Sequence, residues 1–380
     1  MNLKEGFSRF LTADPERLHF AAHSHHPWPD VSYDAHRQAW LDAAGMADDK
    51  WDHVFGTVIP RARSLIAAEL GLHTGDTITF APNTHEFLIR LFSCFEPPVR
   101  VLSTDSEFHS FARQSRRWEE EGLAVVDRVP TEPFDTFPDR FAAEVGSASH
   151  DLIYVSAVFF NSGFVVPEMA RIVEGLAGDR AFFVIDGYHE FMAKPADIAS
   201  LAERVFYIAG GYKYAMAGEG VCFMHCPPGY GPRPVDTGWY AGFGQLETGV
   251  SEKTWYAEDG SRFAGATFDP SGVYRLNAVL EWLDHNGVDT GTIHGHALDL
   301  QERFLQAATN PGRLVVENPK LRGNFLTFRT PDAATLYEEL HGRKVITDYR
   351  GDRLRLGFGV YQGPEDVERL VEVMDGITLS

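Results

Sequence analysis

Two stretches of this chain decide its fold class: residues 182–189, FFVIDGYH, and residues 207–214, YIAGGYKY. Each begins as an apolar run rich in aromatic and β-branched residues and ends in polar groups. Such runs are typical of strands that are buried on both faces of a parallel sheet. Because functional groups collect beyond the carboxyl ends of these strands, we expect Asp186 and Lys213 to reach the same edge of one sheet.

The pattern of the flanking sequence predicts an α/β fold. Residues 29–72 are predicted to be mostly helical, and strands alternate with helices from residue 77 onward. The predicted strands are residues 77–81, 100–103, 123–129, 151–160, 181–185, 204–209 and 220–225, and the predicted helices among them are residues 86–95 and 167–176, with residues 196–202 as a further crossover. This alternation predicts a mostly parallel sheet with helices on both faces.

The pattern changes beyond residue 272. The predicted helices there are residues 273–286, 293–308, 333–340 and 364–374, and the predicted strands are residues 324–328 and 354–358. These elements indicate a compact α+β unit. We therefore predict an N-terminal segment near the substrate site, a large domain and a small C-terminal α+β domain, comprising residues 1–30, 31–272 and 273–380.

The composition is that of a globular protein with an acidic surface. Of the 380 residues, 44% are hydrophobic and 23% are charged, which suffices for one large domain and a smaller one. The formal net charge of -20 argues against nucleic acid and against an anionic membrane as partners. No apolar run approaches the length of a membrane span, and residues 1–20 have no signal-peptide pattern. The three cysteines form no C-x-x-C pair, so we predict a reducing, cytoplasmic location.

Lys213 and Asp186 are the two residue types that pyridoxal-phosphate chemistry needs. A lysine forms a Schiff base with this cofactor, and a carboxylate keeps the pyridine nitrogen protonated so that the ring accepts electrons. Each residue considered alone has a simpler interpretation: Lys213 as a surface lysine at a strand end, and Asp186 as the cap of a turn. His189 supports the acid or lies near the ring, or else it is an ordinary half-buried histidine. The predicted location of Asp186 and Lys213 at one edge of the sheet favours the interpretation as a cofactor site over these simpler ones.

Asn83 and Thr84 indicate a site for an anion. They stand between a predicted strand and a predicted helix, where the first backbone N–H groups of the helix lack helical partners. These groups can hold a phosphate without a glycine-rich loop. The alternative is simple capping of the helix by Asn83 or Thr84, and the two interpretations are compatible.

These residues carry a resemblance to a known family. Residues 212–214 (YKY), followed by residues 217–220 (AGEG), resemble the block around the cofactor-binding lysine of kynureninases, and Asp186 with His189 matches that family's Asp-x-x-His. Over almost its whole length the chain resembles the class V aminotransferase superfamily of pyridoxal-phosphate enzymes, its kynureninase-like branch in particular. The resemblance implies fold type I and a homodimer with each active site at the subunit interface.

The resemblance also implies roles for single residues. Phe108 matches the aromatic residue that stacks on the cofactor ring, and Arg355 matches the arginine that clamps the substrate carboxylate. Tyr212 and Trp239 match phosphate-binding positions, and Thr267 matches a residue that reaches the phosphate from the neighbouring subunit; Trp239 and Thr267 are the candidates for crossing residues. The full predicted set is Lys213, Asp186 and His189 as catalytic residues, Asn83, Thr84, Phe108, Asn161, Asp186, His189, Tyr212, Lys213, Trp239 and Thr267 at pyridoxal 5'-phosphate, and Arg355 and Ser24 at the substrate.

One departure from the family pattern bears on the reaction. Residues 22–26 (AHSHH) replace the Gly-Asn-Ser type of segment that kynureninases have near the substrate, which disfavours an aryl-ketone substrate. We therefore expect an aminotransferase acting on a small α-amino acid. The alternative, supported by the YKY block and Trp239, is a kynureninase-like hydrolase or β-lyase. A non-catalytic sensor or scaffold is disfavoured, because it would not need Asp186, Lys213 and Arg355 together.

Two further functional classes are disfavoured by particular residues. A cysteine desulfurase needs a mobile nucleophilic cysteine late in the chain, and no cysteine follows Cys226. His23, His25 and His26 suggest a metal site, but no acidic or cysteine partner accompanies them at ligand spacing. We therefore predict no metal.

Overall fold

A seven-stranded sheet is the centre of the computed structural model, which describes residues 3–147, 150–176, 181–196, 198–229, 233–245, 253–309 and 311–377. The strands are β1 (Leu18–His19), β2 (Ile78–Ala81), β3 (Val99–Thr104), β4 (Ala124–Val129), β5 (Leu152–Ser156), β6 (Phe182–Asp186), β7 (Val205–Gly210), β8 (Cys222–His225), β9 (Arg313–Leu314), β10 (Phe325–Arg329), β11 (Val345–Ile346), β12 (Asp348–Arg350) and β13 (Arg353–Gly357). The order within the large sheet is β2-β8-β7-β6-β5-β3-β4.

The large sheet is mostly parallel, as predicted. Strands β4, β3, β5, β6 and β7 run parallel, and β8 pairs antiparallel with both β7 and β2. Asp186 at the end of β6 pairs with Ile208 of β7, so these two strands end at one edge of the sheet. Asp186 and, just past β7, Lys213 therefore lie beyond the carboxyl ends of neighbouring strands.

Helices cover both faces of this sheet. The helices are α1 (Ser8–Ala13), α2 (Asp30–Met46), α3 (Lys50–His53), α4 (Ile59–Glu69), α5 (Thr84–Phe92), α6 (His109–Glu120), α7 (Phe137–Ser147), α8 (Met169–Glu174), α9 (Ser271–His285), α10 (Thr290–Ala307), α11 (Ala333–Gly342) and α12 (Pro364–Asp375). Along β6, Phe183 and Ile185 pack in one core with α4, α7 and α9, whereas Phe182 and Val184 pack in a second core with α5 and α6. Among the described helices, none has the length and apolar character needed to cross a membrane.

A smaller antiparallel sheet lies in the C-terminal part, with its described strands in the order β12-β13-β10-β9 and a third core against it. The N-terminal segment is bound to this unit, since β1 pairs with β11 and Gly357 N donates to Phe20 O at 2.7 Å. The same segment reaches the large sheet, because His26 N donates to Tyr212 O at 3.1 Å. The predicted division near residue 272 falls at the start of α9, which packs against α2, and it stays a prediction.

Several elements differ from the sequence-based expectations. The predicted strand over residues 151–160 ends at Ser156, because the chain then folds back and Phe159 N donates to Phe164 O at 3.0 Å. The predicted crossover over residues 196–202 contains only the short 3-10 turn Ala199–Leu201 among its described residues. Helices α6 and α7 were not predicted. In α6 only three residues, Phe111, Ser115 and Trp118, are buried, and the charged residues around them hide the helical pattern.

Candidate active site

A cavity of about 1050 Å³ lies beyond the carboxyl ends of the central strands. Its lining comes from the start of α5, one side of α6 along its whole length, the ends of β5 and β6, and the segment between β7 and β8. The predicted site residues that line it are Asn83, Thr84, Phe108, Asp186, His189, Tyr212 and Lys213. Seven residues that are far apart in the sequence therefore meet in one space.

Lys213 is a buried amine with a shifted pKa in this cavity. Its side chain is buried, and its Nζ lies 2.5 Å from His189 Nε2. Burial lowers the pKa of Lys213 to about 7, although the Asp186 carboxylate acts in the opposite direction. Much of the amine is therefore uncharged and nucleophilic near neutral pH. Three aromatic rings have centroids within 5.2 to 5.7 Å of Nζ: Phe108, Tyr188 and Tyr212.

Small residues explain how the chain brings Lys213 so close to β6. A Cβ atom at Gly210 would overlap the Tyr188 hydroxyl and the Cys222 Sγ atom, and one at Gly211 would overlap Val221. Side chains at these positions would push the strand end away from its neighbours. The two glycines just before Tyr212 thus permit the close packing that buries the lysine.

Asp186 is a buried carboxylate held by uncharged donors. The Tyr154 hydroxyl donates to its Oδ2 at 2.7 Å, and the Tyr188 backbone N–H donates to its Oδ1 at 2.9 Å. Burial raises the pKa of Asp186, while these hydrogen bonds and the charge of Lys213 act to lower it. A cationic partner would favour its ionised form, and a protonated pyridine nitrogen is such a partner. The environment of Asp186 therefore fits a pyridoxal-phosphate ring.

His189 is uncharged and has one unused ring nitrogen. Burial, together with the neighbouring Lys213 and Arg355 charges, lowers its pKa well below the usual value. Its Nε2 accepts from Lys213 Nζ, whereas its buried Nδ1 has no hydrogen-bond partner in the described part of the chain. A buried polar atom of this kind is costly unless a further group binds it, which again fits a polar cofactor.

Asn83 is the N-cap residue of α5 and Thr84 is its first residue, so the structure shows the predicted cap, while the phosphate-binding role stays a prediction. Asn83 Oδ1 accepts from Glu86 N at 3.1 Å, so Asn83 caps the helix. The same first turn faces the cavity, since Asn83, Thr84 and His85 all line it. The positive end of the helix dipole therefore points to a space where an anion can bind.

Glu107 is a residue that the sequence analysis missed. It is buried next to Phe108, its Oε1 accepts from Thr104 Oγ1 at 2.8 Å, and its Oε2 accepts from Ser156 Oγ at 2.5 Å. Burial raises its pKa to about 7. These bonds tie the loop that carries Phe108 to the end of β5. A glutamate between Ser106 and Phe108 gives no sign of burial in the sequence, because its partner Ser156 is 49 positions away.

Arg355 is buried, is not among the residues that line the cavity, and already has an anionic partner. Its Nη2 donates to Asp348 Oδ2 and its Nη1 donates to the Phe160 carbonyl, while its buried Nε has no partner among the described residues. Burial lowers the pKa of Arg355 to about 10, and Asp348 opposes this shift. Asp348 also accepts from Arg350 Nη1 at 2.7 Å. Two guanidinium groups thus share one carboxylate, a pairing that the sequence analysis did not predict.

Ser24 and Asn161 lie outside the lining of the main cavity. Ser24 lines a separate cavity of about 300 Å³ together with Asp348 and Arg350. Asn161 Nδ2 donates to Ser106 Oγ at 3.1 Å, close to the loop that carries Phe108. Their predicted roles at the substrate and at the cofactor stay predictions.

Trp239 and Thr267 contact each other but not the main cavity. Trp239 Nε1 donates to Thr267 Oγ1 at 3.1 Å, and the tryptophan side chain is partly exposed at 43%. Among the described residues that line the main cavity, neither Trp239 nor Thr267 is found. Their pairing is compatible with a joint role, and the predicted contribution to a neighbouring subunit stays a prediction.

The three N-terminal histidines have separate environments. His23 is fully buried and stacks on Phe325, with ring centroids 4.6 Å apart, and His25 stacks on Tyr212 at 5.1 Å. The His26 ring lies against Tyr361 at 4.9 Å. In the described residues no group of three His, Cys, Asp or Glu side chains is placed to hold a metal ion. Because its ring stacks on that of Tyr212, His25 covers the Tyr212 side of the cavity.

The chain is similar in sequence to several known proteins. Residues 296–374 match the family model of the kynureninase C-terminal domain. The chain is 26% identical over 348 residues to isopenicillin N epimerase of Streptomyces clavuligerus, covering 83% of this chain and 82% of that protein. It is 24% identical over 331 residues to a probable cysteine desulfurase of Vibrio cholerae, covering 82% of this chain and 80% of that protein.

Solved structures with the same fold include two that cover nearly all of this chain. The apo cysteine desulfurase of Thermococcus onnurineus NA1 has a TM-score of 0.81 at 17% identity, covering 99% of this chain and 98% of that chain. A variant of C-DES, with glycine covalently linked to its pyridoxal-phosphate cofactor, has a TM-score of 0.80 at 17% identity, covering 99% of this chain and 100% of that chain. The predicted fold class is confirmed.

Proposed function

We propose that this chain, which belongs to the class V aminotransferase superfamily of fold type I, uses pyridoxal 5'-phosphate to transfer the amino group of an α-amino acid. The observation that carries the proposal is the buried Lys213 amine, with a pKa of about 7, in the same cavity as the buried Asp186 carboxylate. Few other functions require an uncharged lysine and a buried acid in one cavity.

The cavity offers a partner for each part of the cofactor. Lys213 would bind it covalently, Asp186 would pair with its pyridine nitrogen, and Phe108 would pack against its ring. The first turn of α5, with Asn83 and Thr84, would hold its phosphate. When bound, pyridoxal phosphate supplies a ring that accepts electrons from the substrate's α-carbon.

Lys213 is the group that moves the proton. Its Nζ would accept the α-proton of the substrate, and the resulting ammonium would hold this proton for its return in a later step. A pKa of about 7 makes both protonation states accessible near neutral pH. The hydrogen bond to uncharged His189 Nε2 fixes the position of Nζ, and the surrounding aromatic rings limit access of water.

Arg355 binds the substrate carboxylate in this proposal. A guanidinium can hold a carboxylate through two parallel N–H donors. Its Nε is free of partners among the described residues, whereas its Nη2 is bound to Asp348. Because Arg350 also binds Asp348, this aspartate can keep a cationic partner when a substrate carboxylate takes its place at Arg355.

The cysteines argue against a persulfide-forming reaction. Cys222 lines the cavity, but burial raises its pKa to about 12. Burial also raises the pKa of Cys94 to about 12 and that of Cys226 well above its usual value. A thiolate nucleophile is therefore not available near neutral pH, in contrast to what cysteine desulfurases need.

Side-chain cleavage of the kynureninase type is the second candidate. It is favoured by one observation, the match of residues 296–374 to the kynureninase C-terminal domain. The Tyr-Lys-Tyr block around Lys213 is in agreement with it. This reaction would use the same lysine and the same carboxylate clamp but would break a bond of the side chain, so the products distinguish the two candidates.

The test is the product formed from a panel of amino acids by the purified protein with cofactor. Conversion of the cofactor to its pyridoxamine form, reversed by a keto acid, supports transfer. Release of alanine or pyruvate from a β-substituted amino acid, without the pyridoxamine form, supports cleavage and overturns transfer. Lys213→Ala is the control and has to abolish either outcome.

A further inference from the structure

One face of α6 lines the cavity with positively charged side chains. Arg113, Arg116 and Arg117 all belong to the lining, and His109 lies on the same face one turn earlier. Their spacing of three and four residues puts these side chains on one side of the helix. This basic face is unusual in a chain with a formal net charge of -20.

Arg113 and Arg116 differ from Arg117 in their partners. Arg117 Nη1 lies 3.3 Å from Glu120, and its Nη2 contacts Glu121, so its charge is compensated. Neither Arg113 nor Arg116 has an ion pair or a side-chain hydrogen bond to any residue that the structure describes. Both are exposed, and their donors are free for a ligand.

The carboxylates of the cavity do not compensate these two charges. These carboxylates interact with other residues: Glu120 pairs with Arg117, the charge of Lys213 acts on Asp186, and Glu219 lies 3.8 Å from His25 Nε2. From the small sheet, Arg350 and Arg355 add positive charge that their shared partner Asp348 offsets in part: burial and the two arginines lower the pKa of His109, and Asp348 acts to raise it. The side of the cavity along α6 therefore attracts anions.

The cavity is also large enough for a second anionic group. Its volume of about 1050 Å³ slightly exceeds the range of roughly 300–1,000 Å³ that is usual for ligand pockets. The cofactor phosphate already has a site at the first turn of α5, where Asn83 and Thr84 lie. The free arginines of α6 are thus left for the substrate.

We propose that the substrate is an amino acid whose side chain ends in a second carboxylate, and that Arg113 and Arg116 bind this carboxylate. The inference rests on the proposed function, because it takes the α-amino group to react beside Lys213. Two guanidinium groups three positions apart on one helix can each donate to one distal carboxylate. Binding at both ends would fix the α-carbon at the lysine and set the substrate preference.

The first test is calorimetric binding of glutarate and of butyrate to the protein with cofactor. We expect glutarate to bind more tightly, and Arg113→Gln or Arg116→Gln to weaken it on the order of tenfold without affecting butyrate. The matched control is Arg117→Gln, which removes the same charge from the same helix but leaves glutarate affinity within about twofold, because Arg117 already has partners.

The second test compares kcat/KM for glutamate and glutamine, which have the same shape. We expect glutamate to be preferred by on the order of tenfold or more, and this preference to disappear in the double variant Arg113→Gln/Arg116→Gln. Equal use of both amino acids would overturn the inference and leave the proposed function intact. Weaker binding of pyridoxal phosphate to the cofactor-free double variant, with unchanged glutarate affinity, would also overturn it. If no amino acid reacted, the proposed function would fail while calorimetry still decided the role of the arginines.

Discussion

At the scale of single residues, burial sets the protonation of the groups that react. It lowers the pKa of Lys213 to about 7 and raises that of Glu107 to about 7, although the two residues carry opposite charges when ionised. Both shifts have one cause, since a buried site favours the uncharged form. The protein thus provides an uncharged amine near neutral pH, which is what covalent binding of a cofactor aldehyde needs.

Lys213→Met should stabilise the cofactor-free protein, and more so at pH 6.5 than at pH 9.5. The unfolded chain keeps the lysine proton up to the usual value of 10.5, whereas the folded protein loses it at about 7. Between these values the unfolded state binds more protons, so wild-type stability increases with pH. The gain at low pH is on the order of a few kcal/mol, measured by urea unfolding. A gain that does not change with pH would contradict the low pKa of Lys213.

Arg355→Lys should raise KM for the amino acid on the order of tenfold or more, with a smaller effect on kcat. A lysine cannot replace the two parallel donors of a guanidinium, and a carboxylate clamp acts on ground state and transition state alike. Arg353→Lys, on the same strand but facing Glu132 at 2.7 Å, is the matched control. Equal effects of the two substitutions on KM would contradict the assignment of Arg355 to the substrate site.

At the scale of elements, the start of α5 has an observed helix cap, and we propose that it also binds the cofactor phosphate. Asn83→Asp should keep the cap, because aspartate and asparagine are equally good at this position, and so leave stability within about 0.5 kcal/mol. The added negative charge should nevertheless weaken binding of pyridoxal phosphate on the order of tenfold. Thermal unfolding and cofactor titration measure the two effects. Asp289→Asn, at the cap of α10, is the control and should leave cofactor affinity unchanged.

The elements also indicate what the sequence could predict. Strands β6 and β7 were predictable because their apolar runs are buried on both faces, and the polar residues at their ends were the correct candidates for one sheet edge. Helix α6 was not, because it is buried through only three residues within a charged segment. The pairs Glu107–Ser156 and Arg355–Asp348 depend on how strands and loops are arranged in space, which composition and periodicity do not report.

At the scale of the whole molecule, the site joins the end of the large sheet to the small sheet. Lys213 and Asp186 come from the first, Arg355 comes from the second, and the segment around His25 and His26 contacts Tyr212 between them. The family resemblance predicts a homodimer, and the exposed Trp239 and its partner Thr267 are the candidates for residues that reach the neighbouring subunit's site.

Mixing two impaired variants tests this proposed dimer. If Thr267 contributes to the neighbour's site, a heterodimer of Lys213→Ala and Thr267→Ala chains contains one site with both native residues. Mixing after mild dissociation should then restore tight cofactor binding in a fraction of the sites, seen as a biphasic titration. A titration that equals the sum of the two separate variants would place Thr267 in its own subunit's site or in none.

The most direct measurement of the central claim is borohydride reduction of the protein with pyridoxal phosphate, followed by peptide mapping. Our account predicts one stable cofactor adduct on the peptide that contains Lys213, together with loss of the visible absorbance in Lys213→Ala. An adduct at another lysine, or absorbance that persists unchanged in Lys213→Ala, would contradict it.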